Sequence, residues 1–312
     1  MEEVDKMSHR LRTCGAAAVL LLLLTLLSSC GQSAVQDETA TDYNQYIPSH
    51  GVTAYTKDLY IFFDSGRLFY VGRSQPSQLF PLCFQADCDH KNSSCTAWLN
   101  TPSRSIYAAG DNLYYIDADK DANPALYRMD LSGGGRELVK SLNILNEESW
   151  PGISSLGYSF RVYGSYLAIE LNLLQEDSWQ HKIYLTGIDS KDEGVFLFGE
   201  EGDSDKSYIA IEFRENWLFV TEKNAADGTN TLWGYNFTTQ EAVPLVEGWD
   251  ISNCFTVQDG ILYWAVTGDG VYSMDMEKKS VTKHRSFDPV SEYGAAAYDD
   301  QYLYLTNAIR YM

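Results

Sequence analysis

The chain has 312 residues, of which 45% are hydrophobic and 13% aromatic, enough apolar material for a substantial core. Its formal net charge is −20 at pH 7. So acidic a surface repels phosphate backbones and anionic lipid headgroups, which argues against nucleic acid as a partner and gives the charge a solubilising role.

Residues 15–27 form an uncharged, almost wholly apolar run of 13 residues. A membrane-spanning helix needs about 20, whereas the h-region of a signal peptide needs no more than this run supplies. His9, Arg10 and Arg12 precede it as a basic n-region, with Glu2, Glu3 and Asp5 out of pattern. Translation from Met7 rather than Met1 removes those three acids, and both starts stay open. The run ends in Leu27-Ser28-Ser29-Cys30-Gly31. This order resembles the bacterial lipobox, and the resemblance implies cleavage before Cys30 and a diacylglycerol on its sulfur. Each buried lipid CH₂ contributes about 0.8 kcal/mol, so several acyl chains hold a protein stably on a bilayer. The predicted organisation is therefore a lipoprotein signal peptide over 1–29, a polar tether over 30–49 and a folded part over 50–312. The expected location is the extracytoplasmic face of the cell membrane. The signal segment carries three acids and three bases (Lys6, Arg10, Arg12), so the mature chain keeps the full −20.

From residue 50 onward the chain repeats weakly. A polar turn followed by an aromatic-aliphatic strand recurs at Asp58-Leu59-Tyr60-Ile61, Asn112-Leu113-Tyr114-Tyr115, Ser165-Tyr166-Leu167-Ala168, Asn216-Trp217-Leu218-Phe219, Gly260-Ile261-Leu262-Tyr263 and Gln301-Tyr302-Leu303-Tyr304, at spacings of 54, 53, 51, 44 and 41 residues. A second strand follows in most units, for example Leu126-Tyr127-Arg128-Met129-Asp130 and Val271-Tyr272-Ser273-Met274-Asp275. Between the two lie hairpin signals such as Asp64-Ser65-Gly66 and Asp227-Gly228-Thr229-Asn230, whose Gly and Asn tolerate positive φ. Short strands, frequent turns and no long 3.6-residue period predict an all-β fold. Units of 40 to 55 residues with room for four strands predict a β-propeller of about six blades. The sixth unit lacks a fourth strand. Either Tyr43 to Ile47 supplies it and closes the ring, or the blade is incomplete; an open ring leaves a bare sheet edge.

These strands, the lipobox and the Cys/His segment below resemble the lipid-anchored β-propeller proteins of Gram-positive gut anaerobes, related in pattern to TolB-like and low-density-lipoprotein-receptor-like propellers. The resemblance covers roughly residues 50–312. It implies the fold and names no activity, because propellers host many unrelated ones.

One segment breaks the repeat. Cys83, Cys88, His90 and Cys95 lie within 13 residues, between the first and second units. Three Cys and one His match the ligand set of a structural zinc site, although the spacing is not the usual two-residue knuckle. An exported protein can also form disulfides, and with Cys30 lipidated, Cys83, Cys88, Cys95 and Cys254 remain to pair. Inert thiols are the third reading. In each, the role expected is structural, because a full Cys₃His shell leaves no open position for substrate.

Other motifs carry less. Asp117 to Asn123 begins like a calcium loop but has Ala122 and Arg128 where Gly and Glu are required, so it reads as a solvated acidic turn. His50, His181 and His284 stand alone in sequence. Gly133-Gly134-Gly135 reads as a hairpin turn rather than a phosphate cradle, since no helix follows it. Most of the 22 Tyr and 7 Trp sit within strands, where packing between blades is their first expected role. The expected function is a non-catalytic binding or scaffold propeller with an unknown protein or glycan ligand. The alternatives are a glycan-active hydrolase or lyase, and a metal-binding module built on Cys83, Cys88, His90 and Cys95.

Overall fold

Strands dominate because the apolar runs are short, β-branched or aromatic, and cut by turns every six to ten residues. The computed structural model describes residues 53–56, 58–100, 105–191, 193–199, 205–248, 255–266, 269–286, 293–298 and 303–307. The signal region, Cys30, the tether, Tyr43 to Ile47, His50, Cys254 and Ile309 to Met312 lie outside these residues.

Five antiparallel four-stranded sheets follow one another, each paired in simple sequence order. Blade one holds β1 (Thr53–Tyr55), β2 (Leu59–Asp64), β3 (Arg67–Gly72) and β4 (Gln75–Pro81), and blade two β5 (Ile106–Ala109), β6 (Asn112–Ala118), β7 (Pro124–Asp130) and β8 (Glu137–Ser141). Blade three holds β9 (Ile153–Tyr163), β10 (Tyr166–Gln175), β11 (Ser178–Gly187) and β12 (Val195–Phe198), and blade four β13 (Lys206–Arg214), β14 (Trp217–Asn224), β15 (Asn230–Asn236) and β16 (Glu241–Glu247). Blade five holds β17 (Phe255–Gln258), β18 (Ile261–Val266), β19 (Gly270–Asp275) and β20 (Ser280–Ser286); a two-stranded sheet, β21 (Tyr293–Tyr298) with β22 (Leu303–Asn307), follows it. In all five four-stranded blades the third and fourth strands shift register once, which marks them as copies of one unit.

The first strands of successive blades touch, β1 to β5, β5 to β9 and β9 to β13, so each blade radiates outward from its first strand. The core is accordingly a set of seams between blades. In β10, Leu167, Ile169 and Leu171 pack toward blade two while Ala168 packs toward blade four. In β14, Leu218 and Val220 face blade three while Phe219 faces blade five. Stacked rings such as Tyr163 on Phe213 and Tyr166 on Phe237 cross from blade three to blade four. This is the β-propeller expected from the repeat, and it explains why the middle strands read as unbroken apolar runs: both faces are buried.

The aromatic-aliphatic strand after each polar turn is the second of its blade, and the innermost strand precedes the turn. Among the described residues the only helical segments are two single 3₁₀ turns, and no helix is long and apolar enough to cross a membrane.

Candidate metal centre

The chain between β4 and β5 is longer than a blade connection needs, and it is used as a wedge. Leu82 leaves blade one by donating its amide to the Leu68 carbonyl (2.9 Å). The chain returns through Ala97, whose carbonyl accepts from the Leu68 amide (2.8 Å), and through Leu99, whose amide donates to the Gly66 carbonyl (3.0 Å). Leu82, Cys95, Ala97 and Leu99 are buried with Ile61 and Leu68 of blade one and Ile106, Leu113 and Met129 of blade two. The insert is thus part of the seam between the first two blades.

Tight local turns fold the loop on itself. The Cys88 amide donates to the Gln85 carbonyl (3.3 Å) and the Cys95 amide to the Asn92 carbonyl (3.0 Å). His90 takes a positive φ of 55°, and its carbonyl accepts from the Arg67 guanidinium of blade one (3.3 Å). These turns gather the four residues predicted from spacing: the donor atoms of Cys83, Cys88, His90 and Cys95 all lie within 4.8 Å of one another. The three thiols are free.

The Cys88 sulfur accepts the His90 amide (3.4 Å), and the backbone amides of Gln85 and Ala97 act to lower the thiols of Cys83 and Cys95. Amides aimed at sulfur favour the thiolate, the form that binds metal. A tetrahedral shell with bonds of about 2.3 Å to sulfur and 2.0 Å to nitrogen has edges of about 3.5–3.8 Å. His90 Nδ1 stands 3.3 Å from Cys95 Sγ, already at that spacing. The remaining edges need to contract by no more than about 1 Å.

The thiols cannot all ionise while sharing one site. At Cys83 burial pushes the thiol up, but the polar groups around it, the Thr96 hydroxyl, the Gln85 amide and the other thiols, outweigh it and bring it down to about 6. At Cys95 burial and the neighbouring sulfurs raise the thiol to about 12 against the Ala97 amide. The first thiolate charge thus holds the proton on the next. A divalent cation at the centre removes that conflict and displaces the protons.

Glycine at position 133 is part of the site. It has φ +85°, and a Cβ there meets the Leu82 carbonyl oxygen at 2.5 Å and the Cys83 nitrogen at 2.8 Å. Gly133→Ala is expected to cost about 1–3 kcal/mol from backbone strain and to push Cys83 away from the other three ligands. A thermal melt run with a metal titration checks both effects; a variant with unchanged metal affinity contradicts the second.

The other candidates scatter. His181 Nδ1 is hydrogen-bonded to Asn172 Oδ1 (2.5 Å), and His284 Nε2 to Ser273 Oγ (2.7 Å). Asp119 Oδ1 accepts the amides of Asp121 (2.9 Å) and Asn123 (2.8 Å), so that acid closes its own turn, as expected. Asp117 does not fit the solvated turn: its side chain is fully buried and paired with Arg136. Among the described residues the buried carboxylates are Asp117 and Glu222. They lie on different blades, and each is already held by a cation, Arg136 and Lys206.

Fold and site together define a β-propeller with a Cys/His wedge between its first two blades. No family model and no curated protein matches the sequence. Similar solved structures include a prolyl endopeptidase (TM-score 0.50, 13% identity, 89% of this chain and 42% of that one). An oligogalacturonate lyase in complex with manganese (TM-score 0.43, 13% identity, 75% and 64%) and a putative TolB from Agrobacterium tumefaciens (TM-score 0.40, 13% identity, 72% and 76%) are also similar. At these identities the likeness concerns the fold alone, and the chain spans less than two thirds of the lyase and of the endopeptidase.

Proposed function

We propose that this chain is an exported binding or scaffold propeller, tethered to the outer face of a membrane by lipid on Cys30, whose first two blades are fastened by a structural Zn²⁺ on Cys83, Cys88, His90 and Cys95. The convergence of four donor atoms within 4.8 Å carries the metal part of this reading. Three thiolates and one imidazole are the donor set of closed, tetrahedral zinc sites, which contribute folding energy and keep no position for substrate. The sequence Leu27-Ser28-Ser29-Cys30 supports the tether.

Native mass spectrometry of the mature protein tests the metal. One Zn²⁺ per chain, lost in Cys88→Ser, is the expected result. A metal-free protein two or four mass units light points to disulfides and overturns it. For the tether, Cys30→Ser is expected to move the protein from the membrane fraction to the soluble fraction of an expressing bacterium.

A further inference from the structure

Blade three is built differently from its neighbours. Its first three strands run 11, 10 and 10 residues, yet β12 pairs with β11 only from Ile183 to Leu185. The start of β11 therefore extends past β12. Alternation puts Trp179, His181 and Ile183 on one face of β11, and Ile183 is buried in the seam with blade four. Above that seam a cleft of about 510 Å³ opens between the blades, lined among others by Ser178, Trp179, His181, Lys206, Lys223 and Asn224. That volume is in the range of small-molecule sites. Trp179 is 48% exposed although it is the largest side chain in the lining.

A cross-strand relay fixes the imidazole at the cleft. Ser159 Oγ donates to Glu170 Oε2 (3.4 Å), and Glu170 Oε1 accepts from Asn172 Nδ2 (3.3 Å). That bond orients the Asn172 amide, so its Oδ1 must accept from His181 Nδ1 (2.5 Å). The proton therefore sits on Nδ1, leaving Nε2 as a lone-pair acceptor. Burial lowers the His181 pKa against the opposing charge of Glu170, which keeps the ring neutral.

The lining charges balance. Asp177 and Asp205 stand with Lys206 and Lys223, and Lys206 is also bridged to Glu222 (3.4 Å). Nothing here favours an anion or a cation. A flat, half-exposed indole beside mixed donors and acceptors suits a ligand with one apolar face and many hydroxyls.

We propose that this cleft is a binding subsite for a neutral oligosaccharide, with a sugar ring stacked on Trp179 and a hydroxyl donating to His181 Nε2. This rests on the binding-module reading and not on the metal.

Calorimetric titration of the metal-loaded full mature chain with cellotetraose, maltotetraose, xylotetraose and mannotetraose tests it, with trigalacturonate as the anionic comparison. At least one neutral tetraose is expected to bind. Trp179→Ala is expected to weaken it about tenfold or more and Trp179→Phe much less, since a ring remains. His181→Ala is expected to weaken it as well. Metal content is measured on the same samples, so failure of the zinc reading shows separately from failure of this one. No binding of any neutral tetraose at millimolar concentration overturns the proposal. So does binding of trigalacturonate alone, or undiminished binding by Trp179→Ala.

Discussion

Stripping the proposed Zn²⁺ from the wild-type protein is expected to lower its thermal midpoint by roughly 8–16 °C. A ligand bound only to the native state, at about a thousand times its dissociation constant, stabilises by about 4 kcal/mol. In a domain of this size each kcal/mol moves the midpoint by about 2–4 °C. The effect reaches the fold because Cys95, Ala97 and Leu99 are buried in the seam between blades one and two, not on a free loop. Adding Zn²⁺ back is expected to restore the midpoint. Cys88→Ser is the informative variant, since Cys88 is only partly buried and its replacement opens no cavity in the seam. It should melt low and ignore a chelator. Affinity should also fall with acid: below about pH 6 Cys83 holds a proton that the metal must displace, so binding releases one more proton per ion there than just above it. A wild-type midpoint that stays put after verified loss of metal rules out the structural role.

The residues legible in sequence were those whose partners are close along the chain or whose burial is complete. Leu113, Tyr114, Tyr115 and Ile116 form an apolar run because their strand is buried on both faces. Ser65-Gly66 announces its hairpin, with φ of 49° and 83°. Edge strands hide for the opposite reason: all seven residues of Ser280–Ser286 are exposed, so nothing selects an apolar pattern. The Glu176-Asp177 turn hides because it takes φ of 47° and 64° without a glycine. The Cys/His set was legible as a count of ligands, but the turns that bring the four donor atoms within 4.8 Å, and the amide that meets Cys88, are a product of the fold. His181 stood alone because Asn172 and Glu170 reach it across strand pairing rather than along the chain.

Asp117 is the sharpest instance, and it yields the second large effect. Arg136→Met is expected to destabilise the protein by about 3–5 kcal/mol, because it strands a buried carboxylate. Asp117 lies 19 residues upstream of its partner. Its oxygens also accept the amides of Asn100 (3.2 Å) and Ala118 (2.9 Å). The Arg136 guanidinium lies over the rings of Tyr127 (4.9 Å) and Tyr115 (5.6 Å) and donates to the Trp98 carbonyl (3.0 Å). The pair therefore holds the end of the Cys/His insert, at Trp98 and Asn100, against the face of blade two. Cutting one charge and cutting both should differ. Buried ion pairs replaced together by apolar residues are often near neutral, while removal of one partner is costly. Arg136→Met combined with Asp117→Leu should thus recover much of the stability lost in Arg136→Met alone, less the hydrogen bonds to Asn100 and Ala118. Denaturant melts of the single and double variants compare them directly. If the double variant is no more stable than the single, the cost lies in lost packing over Tyr127 and Tyr115 rather than in an unpaired charge. Metal affinity should follow the same order, since both variants loosen the segment that carries Cys95 back to blade one.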